Sequence, residues 1–195
     1  MAYDLYAMLF RMKNINRWAL MHRTSEESLT RHSFETALIA HALAVITNEK
    51  FGGNVDAEKT AVVAMFHDAP EILTGDLPTP VKHGNAEIET AYEKIEEEAI
   101  DLFVSMSPDY MKKTVEGVFR CDDEQVNALV KAADKISALI KCREELSAGN
   151  REFRDAEKST AKAIKKLGCP AADEFVSEFL PAFERTLDEL KGCNS

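Results

Sequence analysis

A histidine and an aspartate stand side by side at His67-Asp68, where an apolar helical segment ends and a long loop begins. Imidazole nitrogen and carboxylate oxygen together form a donor set that suits Mn, Fe, Co or Zn. Such a pair arises often by chance, and a histidine near a helix C-terminus also stabilises the helix dipole. Taken alone, the pair therefore favours an ordinary structural role over a metal site.

Two further polar side chains lie in apolar helical patterns elsewhere in the chain. His32 lies in one such pattern, and Asp134 lies between apolar neighbours that include Val130 and Ile136. A buried carboxylate without a partner costs several kcal/mol, so Asp134 should have a cation or a strong donor nearby. Three helices therefore each offer a ligand at an apolar edge, and together they can supply His, His-Asp and Asp to one metal ion.

The elements that must position these ligands are predicted to be helices, because helical periodicity recurs and strand alternation is almost absent. The first apolar face comprises Leu5, Met8, Leu9, Met12 and Ile15. Residues 29–49 carry two adjoining apolar stripes, so we expect this helix to be largely buried; the stripes are Phe34, Leu38 and Val45, and Ile39, Leu43 and Ile46. Asp56 is a typical N-cap for a third helix.

Residues 70–85 differ from the segments around them. They hold three of the six prolines and two of the eight glycines, which predicts a loop. A loop of this length inside a compact domain is typically functional or disordered, and its apolar residues favour an ordered one.

Helices are predicted again near residues 86–106, 108–120, 123–147, 151–167 and 172–191. Asn85 and Asp122 are suitable caps for two of them, and Gly149 and Gly168 are suitable ends. No internal repeat or linker is visible. The sequence therefore predicts an all-α, single-domain protein over residues 1–195, with about seven to nine helices.

Composition narrows the function classes. The net charge of −10 argues against a nucleic-acid polymer as partner, because its phosphates would be repelled, but a small phosphate ester remains compatible. No segment approaches the roughly 18 apolar residues that a membrane span needs. The four cysteines are far apart in the sequence, which is typical of reduced thiols, so we expect a cytoplasmic protein.

The order His32, His67-Asp68, Asp134 resembles the H…HD…D signature of the HD-domain superfamily of metal-dependent phosphohydrolases. Longer segments are similar to the bacterial YfbR-type 5'-deoxynucleotidases: INRWALM at 15–21, RHS at 31–33, HDAPEILTGDLPTPVK at 67–82 and KAAD at 131–134. The similarity extends over nearly the whole chain, including FGGNVDAEK and EELSAGN. It implies an HD-domain helical bundle.

The resemblance also implies a metal centre and an activity. His32, His67, Asp68 and Asp134 would hold one divalent ion, with Co or Mn favoured and Zn, Fe, Cu or Mg as alternatives. The activity would be hydrolysis of deoxyribonucleoside 5'-monophosphates to deoxynucleoside and phosphate. A bound dication lowers the pKa of its water and offsets phosphoryl charge, so no protein nucleophile is needed.

Further roles follow from the same resemblance. Glu71 would orient the attacking water or accept its proton, with Asp68 beside it in catalysis; without the resemblance, Glu71 would be a surface glutamate. Arg17 would bind phosphate through its planar fork of donors. Trp18 would shape the nucleoside pocket, although a core anchor is an almost equal alternative.

A nucleoside-binding loop is implied at Asp76, Leu77, Pro78 and Thr79. Asp76 would accept a hydrogen bond from the sugar 3'-hydroxyl, and a close-fitting loop would reject ribose sterically. The substrate would also touch the metal ligands His32, Asp68 and Asp134. A homodimer is implied by the resemblance alone.

Two other functions remain open at this point. One is an HD phosphohydrolase for another ester, such as a cyclic nucleotide, a deoxynucleoside triphosphate or an alarmone; the other is a non-catalytic nucleotide-binding HD protein. Arg31 departs from the acid that relatives often carry there, and it either adds a cation near the site or faces solvent. His22, His41 and His83 are expected to be exposed, in the core and in the loop, respectively.

Overall fold

The computed structural model describes residues 2–78 and 85–192, and within these ranges its regular structure is helical. The helices are α1 (Leu5–Leu9), α2 (Leu29–Phe51), α3 (Ala57–Phe66), α4 (Glu71–Thr74), α5 (Ala86–Ser105), α6 (Asp109–Phe119), α7 (Glu124–Ser147), α8 (Arg154–Lys166), α9 (Pro170–Glu178) and α10 (Leu187–Leu190), with 3₁₀ helices at Phe10–Asn14, Arg151–Phe153 and Leu180–Glu184. An isolated antiparallel bridge joins Asn16 and Ser28. The predicted all-α fold is confirmed, and none of the described helices is long and apolar enough to cross a bilayer.

Side-chain caps begin the long helices. Asp56 accepts a hydrogen bond from the Lys59 N–H at the start of α3, and Asn85 accepts one from the Glu87 N–H at the start of α5, as the sequence predicts. The prediction of Asp122 as the cap of α7 is wrong. Asp123 takes that role instead, because it directly precedes the first helical residue and its carboxylate accepts two backbone N–H groups.

Glycines in the left-handed conformation follow several of the helices, two of them at positions that the sequence predicts. Gly149 has a φ of 87° directly after α7 and its C-cap, and Gly168 has a φ of 60° after α8. A residue with a Cβ would be strained at these values, which is why the sequence ends helices there with glycine. Both predicted helix ends are confirmed.

Helix α2 is the central element, and it contributes to two apolar clusters. Leu43 packs in the larger cluster with residues of α3, α7 and α9, which include Ala64, Ile136 and Phe175. Leu29, at the other end of α2, packs in the second cluster, which extends to α1, α5 and α6. His32 lies one turn from Leu29, so the predicted metal ligand lies where the two clusters meet.

The expectation that α2 is largely buried is only half right. Ile39 and Leu43 are buried, whereas Phe34, Leu38 and Val45 are 59%, 58% and 40% exposed. His41 shares this face and is exposed, so its prediction as a core residue is wrong, while the prediction that His22 is exposed is confirmed. Periodicity shows which residues share a face, but it does not show whether another element covers that face.

The predicted helix over 172–191 is interrupted. Helix α9 ends at Glu178, a 3₁₀ turn follows at Leu180–Glu184, and α10 begins only at Leu187. Pro181 explains the break, because it has no N–H to donate and it disfavours the α conformation of the residue before it. The loop predicted over 70–85 also needs correction, since one helical turn, α4, forms within it.

A buried ion pair fixes the irregular segment that precedes α2. Lys141 and Glu145 of α7 are 3% and 0% exposed, and their side chains join at 2.6 Å. Lys141 Nζ also donates to the Ser25 carbonyl and hydroxyl at 2.9 and 2.7 Å, while the Glu145 carboxylate accepts from the Thr24 N–H and hydroxyl and from Asn150 Nδ2. Every charge is therefore compensated, which a buried pair requires.

This anchor should make folding sensitive to acid. Burial raises the pKa of Glu145, but hydrogen bonds from Lys141, Asn150 and Thr24 lower it more, from 4.5 to about 2. A carboxyl whose pKa is lowered by folding stabilises the protein above its unfolded pKa and loses that contribution as the pH falls. We expect Glu145→Gln to lower the free energy of unfolding by about 3 kcal/mol near neutral pH, at about 1.4 kcal/mol per pKa unit.

Urea denaturation of both proteins over a pH series measures the effect. The difference in the free energy of unfolding should narrow as the pH falls from about 5 towards 2, because Glu145 takes up a proton over this range and loses the charge that the glutamine lacks. Glu144→Gln, a neighbouring change at an exposed carboxylate, should alter the free energy by about 0.5 kcal/mol or less. A Glu145→Gln difference that is constant with pH would contradict the assignment.

Candidate metal and phosphate site

The predicted metal ligands come together where α2, α3 and α7 meet. Single ligand atoms of His32, His67 and Asp68 all lie within 4.8 Å of one another, and the two imidazole rings are 5.4 Å apart at their centroids. His67 is the C-cap of α3 and Asp68 follows it, while His32 lies one turn after the start of α2. The packing of α3 against α2 therefore creates a cluster of two histidines and one aspartate.

Asp134 of α7 lies at the edge of this cluster. Its Oδ1 is 3.1 Å from His32 Nε2, and Asp68 Oδ2 is 3.5 Å from the same nitrogen. Asp134 does not belong to the compact group of three, but both carboxylates approach the nitrogen of His32 that faces the cluster. The structure thus brings all four predicted ligands to one place, and their assignment as metal ligands remains a prediction.

The hydrogen bonding of His67 fits a metal ligand. Its Nδ1 lies 2.7 Å from the carbonyl oxygen of Ala64, and since a carbonyl can only accept, the proton must be on Nδ1. In the neutral imidazole, Nε2 then keeps its lone pair; this buried atom has no hydrogen-bond partner within the described ranges, and Asp68 Oδ1 lies 3.1 Å away. Two electron-pair donors facing each other are stabilised by a shared cation, so these residues fit a divalent metal.

His32 is fully buried and lies among acids. Its Nδ1 is 3.1 Å from Glu27 Oε1 and 3.2 Å from Ser137 Oγ. Burial and the charge of Arg17 lower the pKa of His32, but the Asp134 and Glu27 carboxylates outweigh them and raise the pKa to about 9. The proton on Nε2 must therefore leave before this nitrogen binds a metal.

Arg17 brings a fixed positive charge to the same place. Its Nη1 lies 3.3 Å from Asp68 Oδ2 and 3.8 Å from Asp134 Oδ1. Burial lowers the pKa of the guanidinium, but these carboxylates, with Glu27, raise it further, so the charge is permanent. Burial raises the pKa of Asp134, but His32 and the charge of Arg17 outweigh it and hold this pKa well below its usual range. Arg17 can meet an anion that approaches the cluster.

Trp18 borders the site and also packs against the core. Its indole Nε1 donates to Glu27 Oε2 at 2.7 Å, and its ring lies 5.2 Å from that of Phe153. Trp18 has a φ of 61°, an uncommon conformation for a bulky residue, which costs on the order of 1–3 kcal/mol and persists only where the surroundings hold it. The contact with the buried Phe153 fits the interpretation of Trp18 as a core anchor, and its role in a nucleoside pocket stays a prediction.

Glu71 begins α4, and its backbone N–H donates to the Asp68 carbonyl at 3.0 Å. Its side chain is 6% exposed, so the alternative of a surface glutamate is wrong. A buried carboxylate one turn after a cluster of ligands is the kind of group that serves as a general base.

The segment after α4 places Asp76 close to the cluster. Burial raises the pKa of Asp76; the charge of Arg17 lowers it, while the charge of Asp68 raises it, which shows that these groups are near one another. Leu77 and Pro78 follow and are half-buried, whereas Thr79 lies outside the described residues. Tyr92 of α5 ties this segment down, because its hydroxyl donates to the Gly75 carbonyl at 2.9 Å.

Arg31, the departure noted in the sequence, does not add a free cation. Its Nε donates to Glu35 at 2.7 Å and its Nη2 donates to Glu144 at 3.3 Å, so two carboxylates compensate its charge.

Glu27 and Ser137 are the site residues that the sequence reasoning missed. Ser137 could have been found, because it lies three residues after Asp134 on the same face of α7. Glu27 lies in an irregular segment, where no periodic signal exists.

Solved structures with the same fold identify the class. A crystal structure of an HD-domain phosphohydrolase from Listeria innocua matches with a TM-score of 0.79 at 22% identity, over 96% of this chain and 92% of that one. The cyanophage S-2L HD phosphohydrolase bound to dA and one catalytic Zn²⁺ ion matches with a TM-score of 0.67 at 18% identity, over 92% and 96% of the chains. The fold is therefore that of the HD-domain phosphohydrolases.

Sequence comparison narrows the class to a family. Residues 4–183 match the family described as 5'-deoxynucleotidase YfbR-like. A 5'-deoxynucleotidase of Vibrio vulnificus is 46% identical over 187 residues, which span 95% of this chain and 96% of that protein. The chain belongs to the YfbR-like 5'-deoxynucleotidase family, as the motifs in its sequence indicate.

Removal of one imidazole should test the cluster directly. We expect His67→Ala to weaken the binding of Mn²⁺ or Co²⁺ at least about 100-fold. The variant loses a metal ligand, and this should lower the affinity more than the loss of an outer-shell partner does. Isothermal titration of the purified, metal-stripped protein measures this affinity. His41→Ala removes an exposed histidine of α2 and should leave it unchanged. Equal affinity of both variants would exclude His67 as a ligand.

Proposed function

We propose that this protein hydrolyses deoxyribonucleoside 5'-monophosphates to deoxynucleoside and inorganic phosphate, with the help of one divalent metal ion. The observation that carries the proposal is the position of Arg17 Nη1, 3.3 Å from Asp68 in the His-His-Asp cluster. A cation-binding group and a phosphate-binding group thus lie side by side. Membership of the family narrows the ester to the deoxynucleoside monophosphates.

The proposed ligands are His32, His67, Asp68 and Asp134, and the proposed metal is Co or Mn. Two imidazole nitrogens and two carboxylate oxygens form a mixed set that also accepts Zn, Fe, Cu or Mg, so metal supply rather than the ligands decides among them. When bound, the dication lowers the pKa of its water and offsets the charge of the phosphoryl group.

The chain's own residues then act on water and phosphate. Arg17 holds phosphate oxygens through parallel N–H donors, a geometry that lysine lacks. Glu71 orients the attacking water and accepts its proton. Asp68, as a ligand of the cluster, keeps the cluster aligned with Glu71. The new P–O bond forms as the P–O5' bond breaks, and the departing sugar oxygen takes up a proton.

The loop that begins at Gly75 supplies the proposed recognition of deoxyribose. Asp76 accepts a hydrogen bond from the 3'-hydroxyl, while Leu77, Pro78 and Thr79 pack against the sugar where a 2'-hydroxyl would project. A close-fitting wall at that position rejects ribose through steric conflict. Trp18 shapes the same pocket from the opposite segment, and the whole chain, 1–195, serves as one HD phosphohydrolase domain.

We propose further that the protein works as a cytoplasmic homodimer. Cys121, Cys142 and Cys169 are free thiols, which is typical of a reducing compartment. Phe34, Leu38 and Val45 form an exposed apolar face on α2. A contiguous face of this kind, unlike a single exposed hydrophobic residue, typically marks an interface, and a second copy of the chain would cover it.

A paired panel of nucleotides tests the activity. Phosphate release is measured for deoxy- and ribonucleoside 5'-monophosphates with the same bases, and for deoxynucleoside triphosphates, with added Mn²⁺ or Co²⁺. We expect turnover of the deoxy monophosphates and at least about a 10-fold lower kcat/KM for the ribo forms, a difference of about 1.4 kcal/mol.

Glu71→Gln is the control variant for this panel. It should bind the metal as the unaltered protein does and lose at least about 100-fold in kcat, the range that general-base catalysis contributes. Residual turnover equal to that of the unaltered protein would point to a contaminating phosphatase. Equal turnover of both sugars would remove the deoxynucleotidase assignment, and a preference for triphosphates would favour a different HD phosphohydrolase.

The dimer has its own measurement. Leu38→Glu places a charge on the exposed face of α2, and burying that charge in an interface costs several kcal/mol. We therefore expect light scattering to show a dimer for the unaltered protein and a monomer for the variant. Lys50→Glu, on the same helix but outside this face, should remain dimeric. An unaltered protein that is monomeric at micromolar concentration would contradict the proposed homodimer.

A further inference from the structure

We propose that Glu27 is a positioning residue that holds the metal-binding half and the phosphate-binding half of the site in register, an inference that rests on the proposed function. Glu27 lies in the irregular segment before α2, directly before the N-cap Ser28. It is 1% exposed, although glutamate is almost never fully buried unless it is paired. Its partners explain why it is buried.

One carboxylate meets three site residues. Glu27 Oε2 accepts a hydrogen bond from Trp18 Nε1 at 2.7 Å. Glu27 Oε1 lies 3.1 Å from His32 Nδ1 and 3.8 Å from Arg17 Nε. A metal ligand, a phosphate-binding cation and a residue of the nucleoside pocket therefore share one anionic neighbour.

The backbone around Glu27 fixes it against the same residues. The Arg17 N–H donates to the Glu27 carbonyl at 2.9 Å, and the Leu29 N–H donates to the Ile15 carbonyl at 2.9 Å. These bonds flank the antiparallel bridge between Asn16 and Ser28. The Lys141–Glu145 pair anchors the intervening residues at Thr24 and Ser25. Because its main chain is held at several points, the carboxylate of Glu27 can impose its position on its neighbours.

The contact with His32 affects metal binding. An ionised carboxylate can only accept hydrogen bonds, so it favours a proton on Nδ1 and leaves Nε2 to the metal side of the ring. Asp134 and Asp68 lie at 3.1 and 3.5 Å from that Nε2. Glu27 thus orients the ring through one nitrogen while the other nitrogen faces the cluster.

The contacts with Trp18 and Arg17 affect the phosphate side. Trp18 has a left-handed backbone that its surroundings must hold in place, and the indole bond to Glu27 is one of the contacts that do so, beside the Phe153 ring and the bonds that Met21 and Arg23 donate to the Trp18 carbonyl. Arg17 precedes it directly, so a shift of Trp18 also moves the guanidinium that lies 3.3 Å from Asp68. Loss of Glu27 should therefore disturb both halves of the site at once.

Glu27→Gln is the variant that tests this role. Glutamine keeps the size of the side chain but carries one acceptor oxygen in place of two, so it cannot serve both Trp18 and His32. Glu26→Gln is the matched control, since it makes the same change at the adjacent, exposed residue. Glu27→Asp keeps the charge on a shorter side chain and serves as the second variant if Glu27→Gln does not fold.

Three readouts that do not depend on turnover are measured on metal-stripped protein: the affinity for Co²⁺ alone, the visible spectrum of bound Co²⁺, and the fluorescence of Trp18, the single tryptophan. We expect Glu27→Gln to weaken Co²⁺ affinity about 10- to 100-fold, as loss of an outer-shell partner does, with a changed spectrum. The emission of Trp18 should also change, and Glu27→Asp should show smaller changes in the same direction.

Co²⁺ affinity, spectrum and emission equal to those of Glu26→Gln would overturn the role of Glu27, and so would a change in thermal stability with no change in the Co²⁺ readouts. Co²⁺ binding that depends on Glu27, in a protein that hydrolyses no nucleotide, would overturn the proposed function and leave this role supported. An unaltered protein that binds no Co²⁺ or Mn²⁺ would overturn the role of Glu27 together with the metal-dependent function.

Discussion

The constraint on which the site depends is charge compensation in a partly buried space between three helices. The packing of α2 against α3 and α7 brings Asp68 and Asp134 to within 3.5 and 3.1 Å of one nitrogen of His32. Carboxylates that share one neighbour repel each other when they are partly removed from water, so nearby positive charge stabilises the arrangement. Arg17 supplies part of it, and the orientation of His67 indicates that a metal ion supplies more.

The irregular segment between the first 3₁₀ turn and α2 solves a different problem. A helix offers only every third or fourth residue to a given face, whereas this segment brings Arg17, Trp18 and Glu27 to one place. Irregular backbone loses the stabilisation of regular hydrogen bonding, and here the bridge at Asn16 and the buried Lys141–Glu145 pair replace it. Contacts outside the site thus stabilise the ordered segment, and its functional side chains are directed into the site.

Much of this arrangement could be predicted from the sequence, because the helices and the ligand-bearing residues follow local rules. His32, His67, Asp68 and Asp134 were recognisable as polar residues in apolar patterns, and Asp56 and Asn85 as caps. The exposed face with Phe34 and Leu38 was missed because periodicity does not show what covers a face. The break at Pro181 follows a local rule that the predicted helix did not take into account. Glu27 could not be found, since its role arises from contacts between segments that no periodicity connects.

The participation of α2 in both apolar clusters has a consequence for how the family can diversify. Because Leu29 and Leu43 lie in different clusters on one rigid helix, His32 cannot shift without disturbing the packing of both clusters. Selection for a stable fold therefore also preserves the position of His32. Leu77 and Pro78 belong to neither cluster, so substitutions in that loop carry little penalty in the core. Substitutions there can therefore accumulate with little effect on the packing that positions His32.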